Sequence, residues 1–223
     1  MKKYICLLIL TFLFVPVRAA EEKYVALTFD DGPSGMYTRR LLDGLEERES
    51  AATFFLCGYR LEEYPGLAKE ILDGGHEIGI HGYSHRPMSA MDSQTLESEL
   101  TRTEEILLEQ TGQIAVLMRP PGGSSSAAVR QAAQAHDLAL VTWSIDPRDW
   151  ATSSTETIVR KVVQKAADGD IILLHDMSNS SVDAALGIVD RLKAEGFRFV
   201  TVSQLAAIRE QTPEAGYLYT SFP

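Results

Sequence analysis

Seven short apolar runs, separated by stretches of helical spacing, limit the fold of this chain more than any other feature of its sequence. They are "KYVALTF" (23–29), "ATFFLC" (52–57), "HEIGIH" (76–81), "IAVLMR" (114–119), "LALVTW" (138–143), "DIILLH" (170–175) and "FRFVTV" (197–202). The clearest helical stretches between them are Ser93–Gln110, with Leu96, Leu100, Ile106 and Leu107 on one face, and Glu156–Ala167. A parallel neighbour needs a long, right-handed crossover, so strands alternating with helices predict a parallel α/β sheet. The runs are apolar almost throughout, which requires both faces of that sheet to be covered. An open doubly wound sheet and a barrel both satisfy this pattern.

A chain of 223 residues, 45% of them hydrophobic, suits one domain with a sizeable core. Residues 1–19 are set apart as a secretory signal: Lys2 and Lys3 precede an apolar run from Tyr4 to about Val17, and Val17 and Ala19 suit cleavage after Ala19. An uncleaved membrane anchor is the alternative. The expected domain spans 22–209 and leaves "EQTPEAGYLYTSFP" (210–223) as a tail packed on its surface. Removing Cys6 with the signal leaves only Cys57, so no internal disulfide can form, as suits an exported bacterial protein. The formal charge of −10 becomes −13 once Lys2, Lys3 and Arg18 are gone, and no basic cluster offsets it. Such a surface repels phosphate, which argues against a nucleic-acid partner. No stable protein partner is implied either.

The polar residues collect at strand ends. Asp30 and Asp31 end the first run, His81 the third and Arg119 the fourth; Asp146 and Asp149 follow the fifth, and His175 and Asp176 end the sixth. In a parallel sheet these ends share one side, where ligand sites form. "HGYSH" places His81 and His85 four apart, able to converge on one ion if the chain turns helically there. Two histidines and a carboxylate make a common catalytic Zn²⁺ set, although the spacing also arises by chance on loops. Asp30 and Asp31 read either as turn or capping residues or as two carboxylates whose repulsion a cation or a shared proton relieves. If one holds a metal, the other is placed to act as general base. Arg119 needs a carboxylate partner at the end of an apolar run, and Asp30 is a natural one. The backbone after Arg119 could offer an N–H to a developing oxyanion. "ILLHD" could equally be a core strand with a capping Asp.

Taken in order, "TFDDG", "HGYSH", "RPPGG", "DPRDW" and "LLH" resemble the five motifs of the polysaccharide deacetylase family, the NodB-homology or carbohydrate esterase family 4 domain, over about Lys23 to Leu205. The resemblance implies an irregular, TIM-like (β/α) barrel of seven or eight parallel strands. It makes Asp30 the general base, Asp31, His81 and His85 the ligands of a divalent metal (Zn²⁺ first, Co²⁺ or Ni²⁺ otherwise), and Arg119 the residue that orients the base. It makes His175 the general acid, Asp149 the carboxylate that holds it, and Trp150 and Leu173 the wall that receives the acetyl methyl. The implied reaction removes N-acetyl groups from amino sugars of cell-wall peptidoglycan or chitin-type chains, at the cell surface or outside it. Muramic acid deacetylation, acetylxylan ester hydrolysis and a non-catalytic glycan-binding role are the alternatives.

Two positions depart from the family pattern. Gly82 stands where Ser or Thr is usual, so either a small loss or a substitute support for the metal loop is expected. Gly122 stands where Tyr is usual, which keeps a backbone N–H for the oxyanion but removes a side chain from the groove.

Overall fold

The computed structural model describes residues 22–223; the expected signal segment and Cys6 lie outside the described residues. Eight strands alternate with eight α-helices: β1 (Lys23–Asp30), α1 (Met36–Glu46), β2 (Thr53–Leu56), α2 (Gly58–Glu63), α3 (Leu67–Asp73), β3 (Glu77–Ile80), α4 (Ser93–Thr111) and β4 (Leu117–Met118), then α5 (Ala127–Ala135), β5 (Ala139–Val141), α6 (Thr155–Val163), β6 (Ile171–His175), α7 (Asn179–Ala194), β7 (Phe197–Val200), α8 (Val202–Ile208) and β8 (Leu218–Tyr219). No described helix is long and apolar enough to cross a membrane.

The sheet runs β6-β1-β2-β3-β4-β5-β8, with β7 paired to the first half of β1, and every strand pair is parallel. The chain after β5 then reaches β6. Ile145 bridges Ile172, and its carbonyl accepts from the Leu173 N–H at 2.9 Å. The ring is thereby joined into an irregular (β/α) barrel.

A period of two lies inside the apolar runs and decides what the barrel encloses. Along β1, Val25, Leu27 and Phe29 point to the helices, while Ala26 packs with the inner cluster. Thr28 and Asp30 follow Ala26 on the inner face. In β6, Ile172 and Leu174 face the helices and Ile171 the interior. Leu173 and His175 continue that inner row. The interior is thus apolar at the amino ends, where Ala26, Phe55, Leu117 and Ile171 meet α8 residues Val202 and Leu205, and polar at the carboxyl ends.

Helix boundaries follow local chemistry. The Asp92 side chain accepts from the Thr95 N–H at 2.7 Å to start α4, and Gly112, at φ 70°, ends it. Ser154 caps α6, which stops at Val163, short of the expected 167. The fourth run forms a strand only at Leu117–Met118; Ile114 and Val116 are 74% and 55% exposed, and Val116 reaches β5 through its carbonyl, which accepts from the Ala139 N–H at 2.9 Å. The C-terminal residues do more than cover the surface: Leu218–Tyr219 pair with β5, and Phe222 is fully buried in the inner cluster.

Candidate active site

Asp30 and Asp31 separate as soon as β1 ends. Asp30 keeps the inward direction of the strand and is buried, its Oδ1 accepting from Arg119 Nη1 at 2.7 Å. Asp31 has φ 73°, a conformation non-glycine residues seldom adopt, and its carboxylate swings to another part of the cleft. Arg119 is fully enclosed. It also donates to Thr28 Oγ1 (2.8 Å) and to the carbonyls of Val141 (3.1 Å) and Thr142 (2.8 Å), and its guanidinium lies 4.1 Å from the Phe55 ring centre. A buried cation with this many acceptors is fixed in place, and it fixes Asp30 in turn.

His81 and His85 converge on Asp31, although not through a helical turn. The chain between them is a loop with left-handed backbone at Gly82 (φ 73°) and His85 (φ 58°). Asp31 Oδ1 lies 3.3 Å from His81 Nε2 and 2.9 Å from His85 Nε2, and the three ligand atoms fall within 4.8 Å of one another. His81 Nδ1 is 2.6 Å from the Arg119 carbonyl, which can only accept, so Nδ1 carries the proton and the Nε2 lone pair faces Asp31. Asp31 Oδ1 is buried with no hydrogen-bond donor. A carboxylate oxygen and an imidazole lone pair aimed at one point suit a divalent cation, so the residues present fit a metal. Burial raises the Asp31 pKa, but hydrogen bonds from His81 and His85 and the charge on His81 and His175, all in their protonated forms, outweigh it and hold the carboxyl well below its usual range. Asp31 in turn raises the pKa of His85.

On the opposite wall His175 is gripped twice by Asp149, through Nδ1 at 2.8 Å and through its backbone N–H at 2.9 Å. Burial disfavours the imidazolium, but the Asp149 carboxylate prevails and pushes the pKa up to about 9. His175 Nε2 is left facing the cleft, 3.9 Å from Asp31 Oδ2.

A cleft of about 400 Å³ gathers Asp30, Asp31, His81, His85, Gly122, Trp150, Leu173 and His175, with Trp143 and Asp146. Arg119 and Asp149 stand behind it, each holding a residue that lines it. A second cleft of about 520 Å³ shares Asp31, Trp150 and His175 and runs on past Ser178 and Ser181. Every strand-end residue singled out in the sequence except Asp176 is therefore in or directly behind one site. Asp176 is no cap: it is fully buried beneath the Gly32 turn, bonded to Thr38 and Ser34, while Ser178 caps α7.

Two contributors escape the sequence reading. Trp143 ends the fifth run, and the strand-end rule applied to aromatic residues would have found it. Glu99, in the middle of α4, accepts from the N–H groups of Tyr83 (2.7 Å) and Ser84 (2.8 Å) and from Ser84 Oγ (2.5 Å). It supplies the loop support expected in place of the hydroxyl that Gly82 lacks. A Cβ at Gly82 would lie 2.5 Å from Met88 Cε, and the positive φ disfavours a side chain as well.

Fold and site together define a (β/α) barrel with a two-histidine, one-carboxylate centre at the carboxyl ends of its strands. The family model for polysaccharide deacetylase matches residues 18–141. The chain is 42% identical over 189 residues to peptidoglycan-N-acetylglucosamine deacetylase of Bacillus cereus, covering 82% of this chain and 88% of that one. It is 37% identical over 190 residues to peptidoglycan-N-acetylmuramic acid deacetylase PdaC of Bacillus subtilis, covering 85% of this chain and 40% of that longer relative. The solved family 4 acetyl xylan esterase of Clostridium thermocellum, in complex with a cobalt ion, superposes with a TM-score of 0.84 at 29% identity, covering 90% of this chain and 100% of that one. This chain belongs to the polysaccharide deacetylase family.

Proposed function

We propose that this protein is an exported, metal-dependent deacetylase that hydrolyses the N-acetyl group of amino sugars, with peptidoglycan N-acetylglucosamine as first substrate and chitin-type oligosaccharides as close analogues. One observation carries the reading: two separately held proton carriers, Asp30 on Arg119 and His175 on Asp149, flank the Asp31, His81 and His85 triad across one cleft. Asp31, His81 and His85 would hold the ion, Zn²⁺ before Co²⁺ or Ni²⁺. When bound, the ion supplies Lewis-acid polarisation of the acetyl carbonyl.

The remaining chemistry belongs to this chain's own residues. Asp30 takes the proton of the attacking water, and Arg119 keeps its carboxylate aimed. The Gly122 N–H stabilises the oxyanion, and Trp150 and Leu173 receive the methyl group. His175 Nε2 gives its proton to the departing nitrogen, a step an amide needs more than an ester does. Asp149 holds the imidazole in the tautomer that can do so.

The muramic acid and acetylxylan readings rest on the names of the PdaC and esterase relatives. Among the described residues no Lys or Arg lines either cleft, so the carboxylate of a muramic acid lactyl group would meet neither there. Export rests on Lys2, Lys3 and the apolar run that follows them.

Mass spectrometry of defined peptidoglycan fragments, chitin oligosaccharides and acetylxylan before and after incubation with the Zn²⁺-loaded chain tests the reading. Loss of acetyl from N-acetylglucosamine units is expected. Loss confined to muramic acid or xylan would replace the substrate, and no loss from any of the three would overturn the activity.

A further inference from the structure

Glu99 lies on the buried face of α4, in a row with Leu96, Leu100, Thr103 and Leu107, and is only 7% exposed. An ionised carboxylate among apolar neighbours is strongly unfavourable unless donors surround it. Its donors all come from one place, the three residues between His81 and His85: Oε2 takes the Tyr83 and Ser84 N–H groups, and Oε1 takes the Ser84 hydroxyl. The opposite side of the same segment is held by the start of α2. There the Gly58 N–H donates to the Gly82 carbonyl at 3.0 Å, and the Tyr59 N–H to the Tyr83 carbonyl at 3.1 Å. The path carries two left-handed residues, Gly82 and His85, which the chain would not keep without external hydrogen bonds. Arg102, one turn along α4, lies 3.7 Å above the Tyr83 ring.

We propose that Glu99 is a positioning residue of the metal centre: its buried carboxylate holds the Gly82–Ser84 backbone in the path that aims His85 Nε2 at Asp31 Oδ1. His81 extends directly from β3 and is fixed by the Arg119 carbonyl, so it does not depend on this clamp. His85, half exposed at the end of the loop, does. Groups that orient metal ligands typically contribute about 10- to 100-fold to metal affinity. The inference rests on the metal-holding role proposed for Asp31, His81 and His85, and a binding assay separates it from the proposed reaction, because binding is read without turnover.

The test is titration of the metal-free full chain with Co²⁺, followed by the visible absorption of the bound ion, with Zn²⁺ affinity obtained by competition. Glu99→Leu should weaken both ions about 10- to 100-fold and alter the Co²⁺ spectrum, while circular dichroism shows the barrel intact. Glu99→Gln, which keeps an oxygen for the two N–H groups, should restore most of the affinity. Glu99→Asp, one methylene too short to reach them, should not. In a His85→Ala background, Glu99→Asp should add no further loss, since the residue acts through His85.

Parent affinity and spectrum in folded Glu99→Leu overturn the proposal. If Glu99→Leu does not fold, parent affinity in Glu99→Asp overturns it equally. A parent chain that binds neither ion removes the metal centre and this inference together. A parent chain that binds metal but deacetylates nothing removes only the proposed reaction.

Discussion

Asp30 and Asp31 are the same side chain in adjacent positions, and the fold gives them different surroundings, which suit the different roles proposed for them. Asp30 is enclosed and answers to Arg119; Asp31 is flipped by its positive φ onto two imidazoles. Asp30→Asn should therefore lower kcat about 10²- to 10⁴-fold while the protein still binds one equivalent of Zn²⁺, because an amide oxygen can still accept from Arg119 but cannot take a proton. His81→Ala should lose both metal and turnover. Turnover persisting in Asp30→Asn, measured on a chitin oligosaccharide beside metal content, would remove the base assignment. His175 sets the other limit. Its folded pKa is raised to about 9, so the imidazolium is present below that pH and, with His175 as the proposed acid, activity should fall as pH rises through it. A cation on Asp31 repels the imidazolium, which places the basic limb of the loaded enzyme lower. Asp149→Asn removes the opposing carboxylate and should shift that limb down by roughly one unit or more, with a drop in kcat. An unmoved limb in the pH–rate profile would deny Asp149 its role. These residues were legible in the sequence because each ends or follows an apolar run. Glu99 was not, because a glutamate in a helix rich in charge reads as a solvated one until the opposite side of the helix is known.

At the scale of elements, α4 and α5 are joined by an imidazole set between two carboxylates. His136, which follows the last turn of α5, meets Glu104 through Nδ1 at 2.7 Å and Glu97 through Nε2 at 3.0 Å. Burial disfavours its charge, but the two carboxylates prevail and raise its pKa. A raised histidine stabilises the fold fully below its unfolded pKa and loses that contribution as pH rises through the folded one. Urea unfolding should therefore show His136→Gln weaker than the parent at pH 6, by up to about 1 kcal/mol, with the gap closing at alkaline pH. A gap independent of pH would show that the ion pairs contribute nothing. Element type was legible here, since Leu96, Leu100 and Leu107 mark the helix without further help. Strand length was less so. The six-residue apolar run 114–119 predicts a full strand, yet only two residues pair, because hydrophobicity cannot tell a residue with a strand neighbour from the exposed Ile114.

Across the whole molecule, the barrel carries its candidate site at one end and is sealed at the other with the help of Leu218, Tyr219 and Phe222. Phe222 is fully buried and stacks on Tyr219 with ring centres 5.2 Å apart. Its N–H donates to the Gly169 carbonyl at 2.9 Å, and its carbonyl accepts from Arg209 Nε at 3.2 Å. Phe222→Ala should cost about 3–5 kcal/mol in urea unfolding, while the folded fraction keeps its Zn²⁺ affinity, because the floor lies at the opposite end from the centre. A loss below about 1 kcal/mol would show the tail to be a surface attachment after all. The family resemblance names the candidate ligand and proton-carrying residues. The sequence by itself determined the alternation of strands and helices and the side on which the polar residues gather. Those follow from side-chain chemistry and from periods of two and 3.6 residues, both of which are local. Only the tertiary structure decided which carboxylate faces the histidines, what holds the loop between them and what closes the barrel floor. Each of these depends on contacts between residues far apart in the chain, and such contacts leave no periodic mark on the segments that make them.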